Sequence, residues 1–272
     1  MLTKVIKPLF KIIPENAAYA VTRLLAAIPQ KTTISKQDKA ILSDAKRLEF
    51  GPNKGKVAWS WGEGPLVILV HGWGSCGAHM GSLAKDVSAK GFQTVAIDIT
   101  AHGESSGKRI SFRKFSRDLA ALVKFLDQDV YAYVGHSAGG LCTMAGRKLE
   151  NLSAKKYVCI SAPQTPYPPI TVIRKKLAVS DGIVERYKNF LADQFNCSWE
   201  EITQQVYACE QESQLLLLYD ESDRFVDHID GDAIKACWPS ATLFKTQGIK
   251  HSQQVWAPEI KEKVVSFLQV EH

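Results

Sequence analysis

No apolar run in this sequence approaches the roughly 20 residues that a membrane-crossing helix needs. A secretory leader is not expected either. The first thirty residues lack an unbroken apolar stretch ahead of Ala18-Tyr-Ala20, because Pro8 and Pro14 interrupt it. Cysteine is sparse and unpatterned. The residues at 76, 142, 159, 197, 209 and 237 form no C-x-x-C pair and no metal-type cluster. They read as free, largely buried thiols in a reducing, cytoplasmic compartment, with no metal. A broad basic face is also missing. Residues 1–56 carry 11 Lys+Arg against 4 Asp+Glu, whereas residues 57–272 carry 23 against 24. The body is therefore neutral, which argues against nucleic acid as a partner.

What is present is an ordinary globular composition, 45% hydrophobic and 23% charged, over 272 residues. That length can bury one substantial core. Residues 1–45 read as a basic, helical N-terminal extension, with a helix expected from Ala17 to Ile28. Two readings of it stand. In one, the helix packs on the body. In the other, residues 1–13 touch anionic lipid peripherally through Lys4, Lys7 and Lys11 at helical spacing. Deleting residues 1–40 is expected to spare activity carried by the body.

From residue 47 onward, strands alternate with helices. An edge hairpin is expected at 47–50 and 57–61. Buried strands follow at Leu66–Val70, Gln93–Ile97, Val130–Val134, Lys156–Ile160, Leu215–Tyr219 and Ala241–Lys245. Helices fall between them. The pattern predicts an α/β fold: a mostly parallel, twisted, eight-stranded sheet with helices on both faces. After Pro163, Pro166, Pro168 and Pro169 the rhythm breaks. Residues 166–213 read as a small helical cap inserted into a core of 46–165 and 214–272. Ser198-Trp-Glu-Glu201 looks like a capping box that starts a helix at Ser198. Val255–Leu268 reads as the closing helix, with Pro258 as an early interruption.

The stretch Tyr131-Ala-Tyr-Val-Gly-His-Ser-Ala-Gly-Gly140 organises the rest. An apolar strand runs into Gly-x-Ser-x-Gly and then into a helix opened by small residues. This is the pattern of a serine held on a sharp turn at a strand end. Gly135 and Gly139 flank Ser137 where a Cβ would collide in so tight a turn. A serine hydroxyl is a poor nucleophile until a base takes its proton, and that base needs an orienting acid. Among seven histidines, His251 is the candidate base, because it lies in a loop after a strand end and before the last helix. His136 stands next to the serine, in the turn, and is read as pointing elsewhere. His71 and His102 read as structural. His79 and His228 fall in helical stretches. Asp220, Glu221, Asp223, Asp227, Asp230 and Asp232 compete for the acid. Asp223 is preferred, with Asp227 as runner-up. A tetrahedral oxyanion needs two backbone donors, and the N–H groups of Trp73 and Ala138 are the candidates.

His71-Gly-Trp-Gly74, Asp98-x-x-x-His-Gly-x-Ser105, Gly135-His-Ser-Ala-Gly139, the acid loop at Asp223 and the late His251 together resemble the α/β-hydrolase superfamily. The order Ser, Asp, His is that family's order. The resemblance runs from about residue 47 to the end. It implies a Ser137–His251–Asp223 triad, oxyanion donors at Trp73 and Ala138, a cap over the pocket, and no cofactor. The implied activity is cleavage of a carboxylic ester, a small-molecule substrate, through an acyl-enzyme. Thioesterase, amidase and carbon–carbon bond hydrolase chemistries would use the same machinery, and a non-catalytic binding protein on this scaffold is the contrasting reading. Tyr167, Ile170, Phe190 and Phe195 are candidates to line an acyl pocket beneath the cap. One departure is Ala101, where the family's loop usually has glycine before His-Gly.

Overall fold

The computed structural model describes residues 10, 12–30, 32–210 and 212–269. Eight strands form one sheet: β1 Lys46–Phe50, β2 Lys56–Trp61, β3 Leu66–Val70, β4 Gln93–Asp98, β5 Val130–His136, β6 Lys156–Ile160, β7 Gln214–Asp220 and β8 Thr242–Thr246. Their spatial order is β1-β2-β4-β3-β5-β6-β7-β8. The β1–β2 and β2–β4 pairs are antiparallel and all others are parallel. The eight-stranded, mostly parallel sheet expected from the sequence is thus present. β3 lies between β4 and β5, so the crossovers leave it in opposite directions. The carboxyl ends of β3 and β5 therefore flank the switch point where such sheets bind ligands.

The strand pattern explains the layers. All five side chains of β3 are buried, alternating between the two faces. Leu66, Ile68 and Val70 join Phe115, Leu119, Leu141 and Ile234 on one side. Val67 and Leu69 join Met80, Leu83, Ile260 and Val264 on the other. Each such side chain contributes roughly 1.5–3 kcal/mol by leaving water. The covering helices are α3 Gly77–Ser88 and α10 Pro258–Gln269 on the second face. On the first lie α4 Phe112–Leu126, α5 Ala138–Glu150 and α9 Ile229–Cys237.

Between β6 and β7 the chain forms α6 Pro168–Leu177, α7 Asp181–Asp193 and α8 Ile202–Tyr207. Ahead of the sheet lie α1 Glu15–Ala26 and α2 Lys36–Leu42. α1 starts two residues earlier than expected, directly after Pro14, which suits the helix boundary. It packs on α6 and α7. α2 was not foreseen; its signal is the capping box of Ser35 and Asp38. Lys4, Lys7 and Lys11, on which lipid contact was read, lie outside the described residues.

Two boundaries are corrected. Ser198 does not start a helix: its hydroxyl donates to Glu201 at 2.8 Å instead of accepting from the backbone, and α8 begins at Ile202. Pro258 does not interrupt the closing helix but opens it, where its missing N–H costs nothing. The residues before it, His251–Trp256, form a separate 3-10 helix. No helix among the described residues is long and apolar enough to cross a membrane.

Candidate active site

Ser137 sits between β5 and α5 with φ 53° and ψ −125°, a conformation that L-residues avoid. Its N–H donates to Ile160 O at 2.8 Å, and its carbonyl accepts from Gly140 and Leu141. The glycines around it are sterically required. A Cβ on Gly135 would lie 2.5 Å from Gly140 Cα, and one on Gly139 would lie 2.3 Å from Val70 O. Ser137 is half-buried, and its hydroxyl has no hydrogen-bond partner among the described residues.

The loop after β3 closes against this turn. A Cβ on Gly72 would come within 3.0 Å of Ser137 Cβ. Trp73 packs on Phe112, with ring centroids 5.6 Å apart, and Phe112 packs on Phe195 at 5.8 Å. Ala138 is the first residue of α5, where an N–H has no intrahelical acceptor. Neither the Trp73 nor the Ala138 N–H has a backbone acceptor among the described residues.

Two buried histidines hold these loops, as expected. His71 Nδ1–H donates to Gly72 O at 2.7 Å, and its Nε2 accepts from Ile99 N at 3.2 Å. His102 Nδ1–H donates to Thr100 O at 2.9 Å, and its Nε2 accepts from Gly74 N at 3.0 Å. Each needs one bare nitrogen and is therefore neutral. Burial pushes both below the usual histidine value, His71 well below. Ala101, the departure from the family's glycine, has φ 64°. It adopts the left-handed conformation that glycine would take without strain.

At the carboxyl end of β7 the candidate acid and base meet. His251 Nδ1 lies 2.6 Å from Asp223 Oδ2. The Asp223 side chain is fully buried and that of His251 is 15% exposed, so the pair is shielded while the ring keeps an open edge. Asp223 Oδ1 accepts from Phe225 N at 2.8 Å and Val226 N at 3.2 Å, and Gln254 Nε2 donates to Oδ2 at 3.0 Å. Burial alone would raise the Asp223 pKa. The hydrogen bond to His251, its charge and the two backbone donors outweigh it, so the carboxyl lies below its usual value. As the carboxylate accepts only, Nδ1 carries the proton and Nε2 of the neutral ring is left as a base.

The competing carboxylates do other work. Asp220, fully buried, accepts from Ser222 N, Thr246 Oγ1, Gly248 N and Ile249 N, and so shapes the loop that delivers His251. Asp227 accepts from Ile229 N at 3.1 Å at the start of α9. Asp230 accepts from Gln164 N and Nε2.

His136 corrects the sequence reading. It does not point elsewhere. β5 runs through it, its ring centroid lies 4.7 Å from that of His251, and its Nε2–H donates to His251 O at 3.0 Å. The backbone of His251 is thereby held beside the residue that precedes Ser137. Burial, then the charge of His251, lower the His136 pKa to about 3, so it is a neutral strut.

Of the candidate pocket residues, Phe195 is joined to Trp73 through Phe112. Ile170 and Phe195 are buried in the core. Phe190 lies under the Arg23 guanidinium. The Tyr167 hydroxyl accepts from Asp227 N at 2.9 Å. The aromatic ring that does meet the site is Phe225, which is 62% exposed and stacks on His251 at 5.4 Å. It carried no signal beyond lying two residues after Asp223. A hollow of about 500 Å³ between α3 and α10 shares no residue with this site. Among the described residues no group of three or more His, Cys, Asp and Glu is placed to hold a metal.

A family model described as "Hydrolase_4: Serine aminopeptidase, S33" matches residues 64–215. Among solved structures, an esterase of Pyrococcus furiosus superposes with TM-score 0.64 at 22% identity, covering 89% of this chain and 98% of that one. A thioesterase domain from the curacin biosynthetic pathway gives 0.58 at 18%, covering 82% and 98%. Among curated proteins, a non-heme chloroperoxidase, CPO-A1, of Kitasatospora aureofaciens is 29% identical over 147 residues, 52% of each chain. The magnesium-chelatase 30 kDa subunit of Rhodobacter capsulatus is 30% identical over 81 residues, 29% of this chain and 28% of that one. The chain thus spans about half or less of the curated relatives it matches.

Proposed function

From the premise that this chain belongs to the Hydrolase_4 (serine aminopeptidase, S33) family of the α/β-hydrolase superfamily, we propose that it cleaves carboxylic esters through an acyl-enzyme on Ser137. The observation that carries this reading is the His251 Nδ1–Asp223 Oδ2 contact of 2.6 Å, at the sheet end where Ser137 stands strained and half-exposed. His251 Nε2 takes the hydroxyl proton as Ser137 Oγ bonds to the ester carbonyl carbon. The tetrahedral oxyanion is received by the Trp73 and Ala138 N–H groups. The carbon–alkoxide bond then breaks, and the alcohol leaves with the proton from His251. Water, deprotonated by the same imidazole, releases the acid and restores Ser137. Each oxyanion donor is worth about 100- to 1000-fold in rate. Nothing in these steps calls on a cofactor.

The helices α6–α8, with α1 laid across α6 and α7, serve in this proposal as the cover of the acyl site. Phe225 forms the wall nearest the imidazole. An ester is favoured over an amide because the superposing structures include proteins named as esterases. The family's description keeps aminopeptidase activity as the second reading.

The test is hydrolysis of a p-nitrophenyl ester series beside aminoacyl p-nitroanilides, with fluorophosphonate labelling of wild type and Ser137→Ala. Labelling and ester turnover in the wild type, both absent from Ser137→Ala, are expected. Undiminished ester hydrolysis by Ser137→Ala would overturn the assignment, and turnover of anilides alone would replace ester by amide.

A further inference from the structure

We propose that Gln254 is a positioning residue for the Asp223–His251 pair, anchored by Ser161; the inference rests on the ester-hydrolase reading and deepens it. Gln254 is fully buried. Its Oε1 accepts from Ser161 Oγ at 2.8 Å, and its Nε2 donates to Asp223 Oδ2 at 3.0 Å. A carboxylate only accepts, so the amide has one orientation. Ser161, also fully buried, follows β6 with φ 44°, and its N–H is fastened to Leu218 O at 2.8 Å. A strained and pinned backbone thus holds the anchor still.

Local helix geometry explains why this glutamine arrives where it does. His251 and Gln254 belong to the same 3-10 helix, His251–Trp256. With three residues per turn, side chains at i and i+3 eclipse. The imidazole and the amide therefore project on one side and converge on one oxygen, Oδ2. With Phe225 N and Val226 N on Oδ1, the carboxylate has four donors. The terminal torsion of an aspartate is otherwise broad. Gln254 removes that freedom and keeps Oδ2, the oxygen facing Nδ1, in place through turnover.

The consequence is readable in kinetics. Without the amide, the carboxylate swings and the imidazole loses its fixed orientation, which lowers kcat and leaves KM for a small ester unchanged. Outer partners of functional groups commonly cost about 10- to 100-fold when removed. A glutamate in this position would be a conditional replacement. Protonated, its carboxyl donates to Oδ2 as the amide does; ionised, it repels Asp223 and the donor is gone. The other titratable groups on the elements around it are Asp223, which accepts from its amide, His251 on its own helix, His136 from β5, which bonds His251 O, and those of the two helices packed on the 3-10 helix: His79, Lys85 and Asp86 on α3, and Glu259, Lys261, Glu262 and Lys263 on α10. They are common to wild type and variant, so a limb seen only in the variant belongs to the introduced carboxyl.

The experiment measures p-nitrophenyl acetate hydrolysis against pH for wild type, Ser137→Ala, Gln254→Leu, Gln254→Glu and Ser161→Ala, with a thermal melt of each. Gln254→Leu is expected to lose about 10- to 100-fold in kcat at constant KM. Gln254→Glu is expected to keep activity at the acid end and to show a new fall as pH rises. Ser161→Ala is expected to lose a smaller factor in kcat. Wild-type kcat in Gln254→Leu, or a wild-type pH profile in Gln254→Glu, overturns the proposal. If Gln254→Leu does not fold, the Gln254→Glu profile and Ser161→Ala decide. An inactive Ser137→Ala beside a fully active Gln254→Leu sinks this inference alone, whereas an active Ser137→Ala sinks the functional reading beneath it.

Discussion

The guanidinium of Arg23 lies 3.8 Å from the ring centroid of Phe190. That contact joins α1, which precedes the sheet, to α7, which is inserted within it. Arg186 strengthens the joint: it lies 4.1 Å from the Tyr19 ring centroid and donates to Asn16 at 2.9 Å. Beyond α1 the chain reaches the loop that carries Trp73. Ile110 N donates to Ala27 O at 2.8 Å, and the Thr32 hydroxyl donates to Gly74 O. Among the described residues, α1, Ala27 and Thr32 are thus packed on the body.

Deleting residues 1–40 is therefore expected to lower both the melting temperature and kcat on soluble p-nitrophenyl esters, contrary to the sequence-based expectation of no effect. Arg23→Ala alone removes the cation–π contacts to Phe190 and, at 5.7 Å, to Tyr19, each worth about 0.5–1 kcal/mol at an exposed site. It should lower the melting temperature by a few degrees. A truncated chain with wild-type kcat would show that the Gly74 loop holds itself.

Gly139→Ala tests the packing of the nucleophile turn. Its Cβ would lie 2.3 Å from Val70 O and 2.6 Å from His71 O, backbone atoms at the end of β3 and just past it that cannot yield cheaply. A loss of about 3 kcal/mol, the upper end for overpacking, is expected in denaturant titration. Gly248→Ala is the control: its φ is +96°, but nothing lies within 4 Å, so it pays backbone strain only. It should cost about 1–2 kcal/mol.

Asp223→Asn should keep the fold and lower kcat by about 10⁴-fold, because the amide favours the wrong imidazole tautomer. Asp227→Asn, the alternative acid from the sequence, loses only a charge beside the start of α9 and should leave kcat within about threefold. Steady-state kinetics on both variants separates the two aspartates. Equal losses would undo the assignment of the acid.

Acid should destabilise the protein through its buried histidines. Burial, then neighbouring charge, holds His71 well below and His136 at about 3, against the usual value near 6.5. Between those limits the unfolded chain binds protons that the folded chain refuses. Stability is then complete above pH ~6.5 and falls as pH drops toward the folded values, by up to about 1.4 kcal/mol per pH unit for each imidazole. Urea titrations at several pH values between 7.5 and 4.5 measure the slope. His136→Gln retains a donor for His251 O and should flatten it.

The alternation of apolar runs with amphipathic helices determined the sheet and its two covering layers, since burial on both faces of a parallel strand leaves a continuous hydrophobic signature. Gly135, Gly139 and Ser137 likewise announced a strained turn, because its steric demands are local. Which acidic residue meets which imidazole was another matter. Position past the strand favoured Asp223 over Asp220 and Asp227, but its contact with His251 exists only once β7 and the loop after β8 are placed side by side. The contribution of Gln254 and the contact of His136 with His251 had no signature along the chain, and the packing of α1 on the body was expected without its partners α6 and α7. They join residues far apart in sequence, or depend on a 3-10 pitch that no short pattern encodes. Sequence periodicity reports which side of an element is buried; only the folded backbone decides which two buried side chains touch.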